Sequence, residues 1–409
     1  MARRKKTSSF AVLALIPLLL LAAYVSKEVS QYMQKARAAA EDLPKPSQSS
    51  PPPLPAAANS GETSEVALKR ILDQHLVINA HEHVQGLTTM PTVLQAMDLH
   101  GMGKMILVGS SWFTITLNER VGFTRYDENN EELLKIVEKY PGRFVAYPTL
   151  DPNDPLKLDK LKSLVQRGAK GVKLYLGHGY TKRDGQYMFH VMAMDDPRMF
   201  EIYEYCQKEF IPLCFHMQPF KPGFAQEFIS VLNAFPDLKV NCPHYMLSTI
   251  KESRLREFLN TFPNLYSDIS FGHDDFLRDG LRRISRSPEK FRALFNDYPE
   301  RFMFGTDLVM TDIPQKSVEW FSVRAQAYYD MLTQAEYNTP FLPNETFRGL
   351  QLPPALLENI LFKNYERFEQ LKPVGTKITR KINWVNMGVP ELERQPGQAF
   401  PPPPPRRRP

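Results

Sequence analysis

The chain has 409 residues, 43% of them hydrophobic, enough for one large barrel or two ordinary domains. Its net charge of +6 sits at the ends, on Arg3, Arg4, Lys5 and Lys6 and on Arg406, Arg407 and Arg408, so the near-neutral middle offers no basic face for nucleic acid. Three cysteines, Cys206, Cys214 and Cys242, exclude a disulfide framework.

In chain order, the first feature is a basic flank followed by an uninterrupted apolar run of sixteen residues, Phe10 to Val25. No Ala-x-Ala cleavage pattern follows it closely, so residues 1–28 are expected to be an uncleaved transmembrane anchor rather than a removed signal. The positive-inside rule then places the rest of the chain outside the cytoplasm, on the periplasmic side of a bacterial inner membrane, or secreted if the run is cleaved. Residues 29–64 read as a stalk and a proline-rich tether containing Pro51-Pro52-Pro53. The far end mirrors it, with polyproline from Pro401 to Pro405, so 373–409 are expected to be a disordered tail and 65–372 the folded domain.

Within that domain, strand-like runs recur at 76–80, 104–110, 144–149, 171–176, 212–217, 239–242, 265–269 and 302–305. Most are separated by helix-length segments with apolar spacings of three and four. Eight strands alternating with helices over about 300 residues predict an α/β fold of the (β/α)8 TIM-barrel type. The segments 177–195 and 332–354 exceed ordinary loop lengths and are candidate lids.

Metal-competent residues fall at the ends of these runs: His81 and His83 on strand one, His216 on strand five, His244 on strand six, Asp307 on strand eight. In a barrel the C-terminal strand ends converge on one mouth, so the five would meet there. Alternation along strand one sends His81 and His83 to the same side and turns Glu82 away. On strand four, Val172 and Leu174 would pack outward while Lys173 and Tyr175 face the interior, where an unpaired lysine is costly. Cys214 and Cys242 precede His216 and His244 by two residues and are expected inward beneath the site, as packing residues. His178 and His273 lie at the right end to touch substrate; Tyr175, Met217 and Trp112 are candidate pocket walls. His190 sits in the long insertion, and His75 and His100 read as structural.

The order His-x-His, His, His, Asp resembles the amidohydrolase superfamily. Tyr140-Pro141-Gly142-Arg143-Phe144, Leu150-Asp151-Pro152, Phe262-Pro263-Asn264-Leu265-Tyr266, Arg301 to Asp307 and Glu358 to Asn364 narrow the likeness to its amidohydrolase-related ("amidohydrolase 2") branch. That branch also contains metal-dependent decarboxylases. The resemblance implies a divalent metal, one zinc ion, on His81, His83, His216 and Asp307. Asp307 would serve as proton acceptor, with His244 stabilising charge or holding water. Lys173 and His244 are the candidates for a second ion or for substrate, since a lysine near this position can be carboxylated in superfamily members. The implied activity is hydrolysis of an amide, ester or lactone bond in a small molecule by a metal-activated water. A decarboxylase of the same fold, or a surface barrel that binds without chemistry, are the alternatives. The expected partners are a small-molecule substrate and, through the anchor, a membrane; a homo-oligomer is compatible with the sequence.

Overall fold

The eight expected strands all form, each within a few residues of its predicted place. A computed structural model of the chain describes residues 61–110, 123, 125–177, 180–181, 187–188 and 192–392. The strands are β1 (Val77–Glu82), β2 (Met102–Val108), β3 (Phe144–Tyr147), β4 (Val172–Gly177), β5 (Leu213–Met217), β6 (Val240–Asn241), β7 (Leu265–Asp268) and β8 (Phe302–Met303). All pair in parallel, β1-β2-β3 in one run and β4-β5-β6-β7-β8 in another. Backbone contacts join the two runs at both ends. Lys173 donates to Pro148 O at 2.8 Å beside a bridge from Thr149 to Lys173, and Ala80 donates to Phe304 O at 2.8 Å. The result is an α/β fold whose parallel strands run on into one another, with helices between.

Period-two alternation sorts the core. Ile78, Ala80, Ile106, Val108, Val145, Tyr147, Cys214, Tyr266 and Met303 form one buried cluster inside the strands. Their neighbours Met105, Leu107, Phe144, Ala146, Val172, Leu174, Leu213, Phe215 and Val240 pack outward on the helices. Tyr365 and Phe368 join the inner cluster from a helix ending at Gln370, and Tyr147 and Tyr365 bring their hydroxyls to 3.3 Å. A π-helical turn at Asn359–Lys363 joins this helix to the α-helical turn Pro354–Glu358, and the helix closes the end of the strands opposite the candidate site.

Three expectations are corrected by the fold. The segment 332–354 is not a lid: its hairpin, Glu336–Thr339 with Leu342–Arg348, lies in the outer layer. There Arg282 pairs with Glu345 at 2.5 Å, and the hairpin tip, Phe341, lies against Arg324. Of the other candidate lid, only the two-residue strands Tyr180–Thr181 and Tyr187–Met188 and the end from 192 lie within the described residues.

Residues 374–392, expected as tail, run as a strap up the outside of the domain. Asp237, at the closed end, accepts from Gly375 and Thr376 amides at 2.8 and 2.7 Å. The buried carboxylate of Glu257 then accepts from Arg380 at 2.8 Å, the Asn383 amide at 2.8 Å and Asn386 at 2.9 Å. Arg254 donates to Met387 O at 2.7 Å, and the Leu392 amide reaches Gln226 Oε1 at 2.7 Å. Met387 and Val389 are buried in the outer core.

The third correction concerns the membrane. Among the described residues no helix is long and apolar enough to cross a bilayer. The longest, Val318–Thr333, has 16 residues and carries Glu319, Arg324 and Asp330, where a span needs about 20 apolar ones. The expected anchor at 10–25 lies outside the described residues, and the membrane-anchored, periplasmic placement is withdrawn.

Candidate metal centre

Two backbone irregularities carry the site. Ile78 and Ala80 face the interior, so strict alternation would turn His81 outward. Between Asn79 and Glu82, however, β1 spends one more residue than β2: Asn79 pairs with Met105 and Glu82 with Leu107. This bulge resets the alternation and brings His81 in after Ala80. The second irregularity follows β6. Asn241, paired with Cys214, faces inward, whereas Cys242 packs in the outer core, contrary to its expected inward position. Parity counting fails there because His244 is not on the strand. His244, Tyr245, Met246 and Leu247 form a left-handed turn with φ of 61°, 53°, 51° and 50°, which costs on the order of 1–2 kcal/mol per residue. Side-chain bonds hold it: Asp268 Oδ1 accepts the His244 amide at 3.1 Å, and Ser267 Oγ accepts the Met246 amide at 3.1 Å.

Asp307 also has a positive φ of 52°. Its amide and that of Thr306 donate to His81 O at 2.8 and 3.3 Å. Gly272 backs it so closely that a Cβ there would lie 2.8 Å from Asp307 Oδ2. Glu82 turns away from the ligand group, as expected, and organises this loop. Its buried carboxylate accepts from Thr306 Oγ1 at 2.6 Å and from the amides of His83, Leu308 and Val309 at 2.9, 3.1 and 2.7 Å.

The ligand-type residues converge as follows. His81, His244 and Asp307 each place one donor atom within 4.8 Å of the others. Asp307 Oδ1 lies 3.7 Å from His81 Nε2 and 3.4 Å from His83 Nε2, while Oδ2 lies 3.4 Å from His244 Nε2. The His216 ring, half-buried, sits 5.0 Å from that of His244, centroid to centroid, and is outside the three-residue group. Lys173 is fully buried, its Nζ 3.1 Å from His81 Nε2 and 3.5 Å from Cys214 Sγ. Tyr175 is buried and donates to Gly109 O at 3.1 Å. His273 is exposed at the start of the helix Asp274–Arg286. Met217 packs in the outer core rather than lining a pocket, and His100 is buried beside Phe321 and Tyr329. His178, His190 and Trp112 lie outside the described residues.

The residues present fit a divalent cation. His81 Nδ1 faces Asp268 Oδ2 at 3.1 Å and so carries the proton, leaving Nε2 as the acceptor that Lys173 Nζ meets at 3.1 Å. His244 Nδ1 faces Ser270 O at 3.3 Å and Ser270 Oγ at 2.8 Å, again placing the proton on Nδ1. Two unprotonated imidazole nitrogens thus face a carboxylate whose buried Oδ1 has no hydrogen-bond partner among the described residues. Lys173 Nζ meets His81 Nε2 at 3.1 Å, while His244 Nε2 and Asp307 Oδ2, 3.4 Å apart, are acceptors that repel unless a cation lies beside them.

Electrostatics follow burial. Burial drives the His83 imidazole well below its ordinary value, helped by the nearby Lys173 charge. Burial also lowers His244, to about 4, although Asp307 opposes it. Burial works against ionisation of Asp268, yet the hydrogen bonds from His81 and Ser270 hold its carboxyl far below the usual range. Since the folded His244 value lies below the unfolded 6.5, its contribution to stability is present above pH 6.5 and lost as pH falls toward 4. Titration of the metal-free protein by NMR is expected to show His244 neutral at pH 5.5; a midpoint near 6.5 would mean the imidazole is hydrated.

Asp268, Ser270, Glu82 and Asn241 were not singled out from sequence. Asp268 did carry a signal, as a charged residue closing the run Leu265-Tyr266-Ser267 at the same strand end as the ligands.

Parallel strands whose C-terminal ends gather imidazoles and carboxylates around a cation-sized gap define an α/β protein with a metal-type centre. The chain belongs to the amidohydrolase-2 family, whose profile matches residues 113–368. No curated protein matches it. Among solved structures it is similar to a probable 2-pyrone-4,6-dicarboxylic acid hydrolase from Acinetobacter baumannii with citric acid bound, at 13% identity and TM-score 0.48, covering 72% of this chain and 100% of that one. A 2,6-dihydroxybenzoate decarboxylase from Rhizobium matches at 16% identity and TM-score 0.45, covering 73% and 99%. A dihydroxybenzoic acid decarboxylase from Polaromonas, solved with manganese and 2-nitroresorcinol, matches at 18% identity and TM-score 0.42, covering 73% and 98%.

Proposed function

We propose that the chain is a metal-dependent hydrolase that cleaves an amide, ester or lactone bond in a small molecule. The observation that supports this reading is the convergence of the His81 and His244 Nε2 atoms on Asp307, within 4.8 Å of one another. His81, His83, His244 and Asp307 would hold one divalent ion, zinc by the preference of nitrogen and oxygen donors, with His216 beside His244. Such an ion supplies a Lewis acid for a carbonyl and makes a water acidic enough to attack at neutral pH.

The chain's own groups do the rest. Asp307 Oδ1, facing the gap, takes the proton of the attacking water and returns it to the leaving group. His244, kept neutral by burial, presents a lone pair rather than a charge. Lys173 brings a buried ammonium to the same gap, 3.1 Å from His81 Nε2, and so belongs to the centre itself rather than to an outer substrate pocket.

The test is metal content of the purified full chain by elemental mass spectrometry, followed by assay on a panel of amides, esters and lactones. About one zinc per chain is expected, with hydrolysis abolished by a chelator and restored by zinc. Carbon dioxide release from aromatic carboxylates without hydrolysis would replace the reading with decarboxylation. No bound metal after reconstitution would overturn it.

A further inference from the structure

The carboxylate of Asp268 is the point at which two of the candidate ligands meet. It is fully buried and accepts five hydrogen bonds. Oδ2 takes His81 Nδ1 at 3.1 Å and Asn241 Nδ2 at 2.9 Å. Oδ1 takes the amides of His244 and Ser270, each at 3.1 Å, and the Ser270 hydroxyl. Every partner is a donor, so the group acts as a carboxylate at every position. Because the Ser270 proton goes to Asp268, Ser270 Oγ is left to accept from His244 Nδ1 at 2.8 Å.

We propose that Asp268 is the positioning residue of the centre, fixing His81 directly and His244 through Ser270 as the tautomers that leave both Nε2 atoms unprotonated toward Asp307, with Lys173 Nζ beside that of His81. The consequence for metal affinity rests on the reading given above; the tautomers themselves do not. One carboxylate thereby aligns ligands from β1 and from the turn after β6, two segments more than 150 residues apart in sequence. An imidazole held this way also keeps its ring from rotating about its own axis, which pre-organises the ligand set before any ion arrives.

Asp268→Asn separates this role from simple packing. The amide is isosteric, and its oxygen can still accept the three donors now on Oδ1. Its nitrogen, however, would face His81 Nδ1 and Asn241 Nδ2, both donors. His81 can relieve that clash by moving its proton to Nε2, which removes the lone pair aimed at Asp307 and obliges Lys173 Nζ, now facing a donor, to turn away.

The experiment has two readouts. Nitrogen-15 NMR of imidazoles in the metal-free full chain is expected to show His81 and His244 protonated at Nδ1, with His81 switching to Nε2 in Asp268→Asn. Zinc titration against a chromophoric chelator is expected to show affinity reduced by roughly 10–100-fold in the variant. A wild-type His81 protonated at Nε2 would overturn the proposal, whether or not the variant folds. So would a variant with a lowered melting temperature but unchanged tautomers and zinc affinity, since packing alone would explain it. Wild-type protein that binds no zinc would end the hydrolase reading, while the tautomer spectrum would still decide the role of Asp268.

Discussion

Asp307→Asn is expected to lower kcat by roughly 10²–10⁴-fold, the range spanned by loss of a positioned acid–base group. The substitution isolates chemistry from folding. Asparagine shares aspartate's tolerance for positive φ, so the 52° backbone angle is kept, and its amide fills the same volume against Gly272. What it lacks is charge and the capacity to take a proton. Turnover should be measured at saturating zinc, on whichever panel substrate the wild type cleaves, so that weakened metal binding does not pass for lost chemistry. Near-normal kcat would mean that another group takes the proton. Asp307→Glu would be a poorer test, because the longer side chain meets Gly272 at a distance already too short for a single added carbon.

The largest effect on stability is expected from Glu82→Ala. Three amides, two of them buried, and the buried Thr306 hydroxyl end on that carboxylate, and each stranded buried donor costs about 1–3 kcal/mol. A total loss of about 3 kcal/mol or more would lower Tm by about 4–6 °C in a domain of this size. The variant also tests the pH balance. Burial pushes Glu82 up to about 7, so the stability tied to its shift is present below pH 4.5 and lost as pH rises through 7. That trend opposes the one from His83 and His244, whose contribution is lost on acidification below 6.5. Without Glu82, stability should therefore fall more steeply between pH 6.5 and 4.5. Thermal melts of the metal-free protein across that window read it directly; a parallel profile would mean Glu82 is already ionised in the fold.

The alternation of apolar strands and helices was legible because each strand has an outward face on helices and an inward face on the strand interior, and composition follows both. Ligand residues at strand ends were legible for the same reason: His81, His83, His216, His244 and Asp307 interrupt apolar runs at one end of the sheet. What alternation could not reveal is where it breaks. The bulge in β1 leaves no glycine or proline signature, and Pro243 marks a break before His244 without telling the hand of the turn, so alternation predicts Cys242 inward where the structure packs it outward. The supporting groups were hidden differently. Asp268 and Ser270 are ordinary polar residues in sequence, and their weight comes from partners on other strands, which local pattern does not encode. The strap was missed because residues 374–392 are polar and proline-bounded, while its anchors, Asp237 and Glu257, lie more than 120 residues earlier.

That strap has a directional consequence. It starts at the closed end of the strands and finishes against Gln226, in the first turns of the helix Pro222–Ala234 that follows His216. Leu392 therefore stands at the rim of the gap where the ligands gather, as if a cord had been brought up the wall of a well to its lip. The other end of the described chain enters through the helix Ser64–Asp73, which leads into the opposite end of β1.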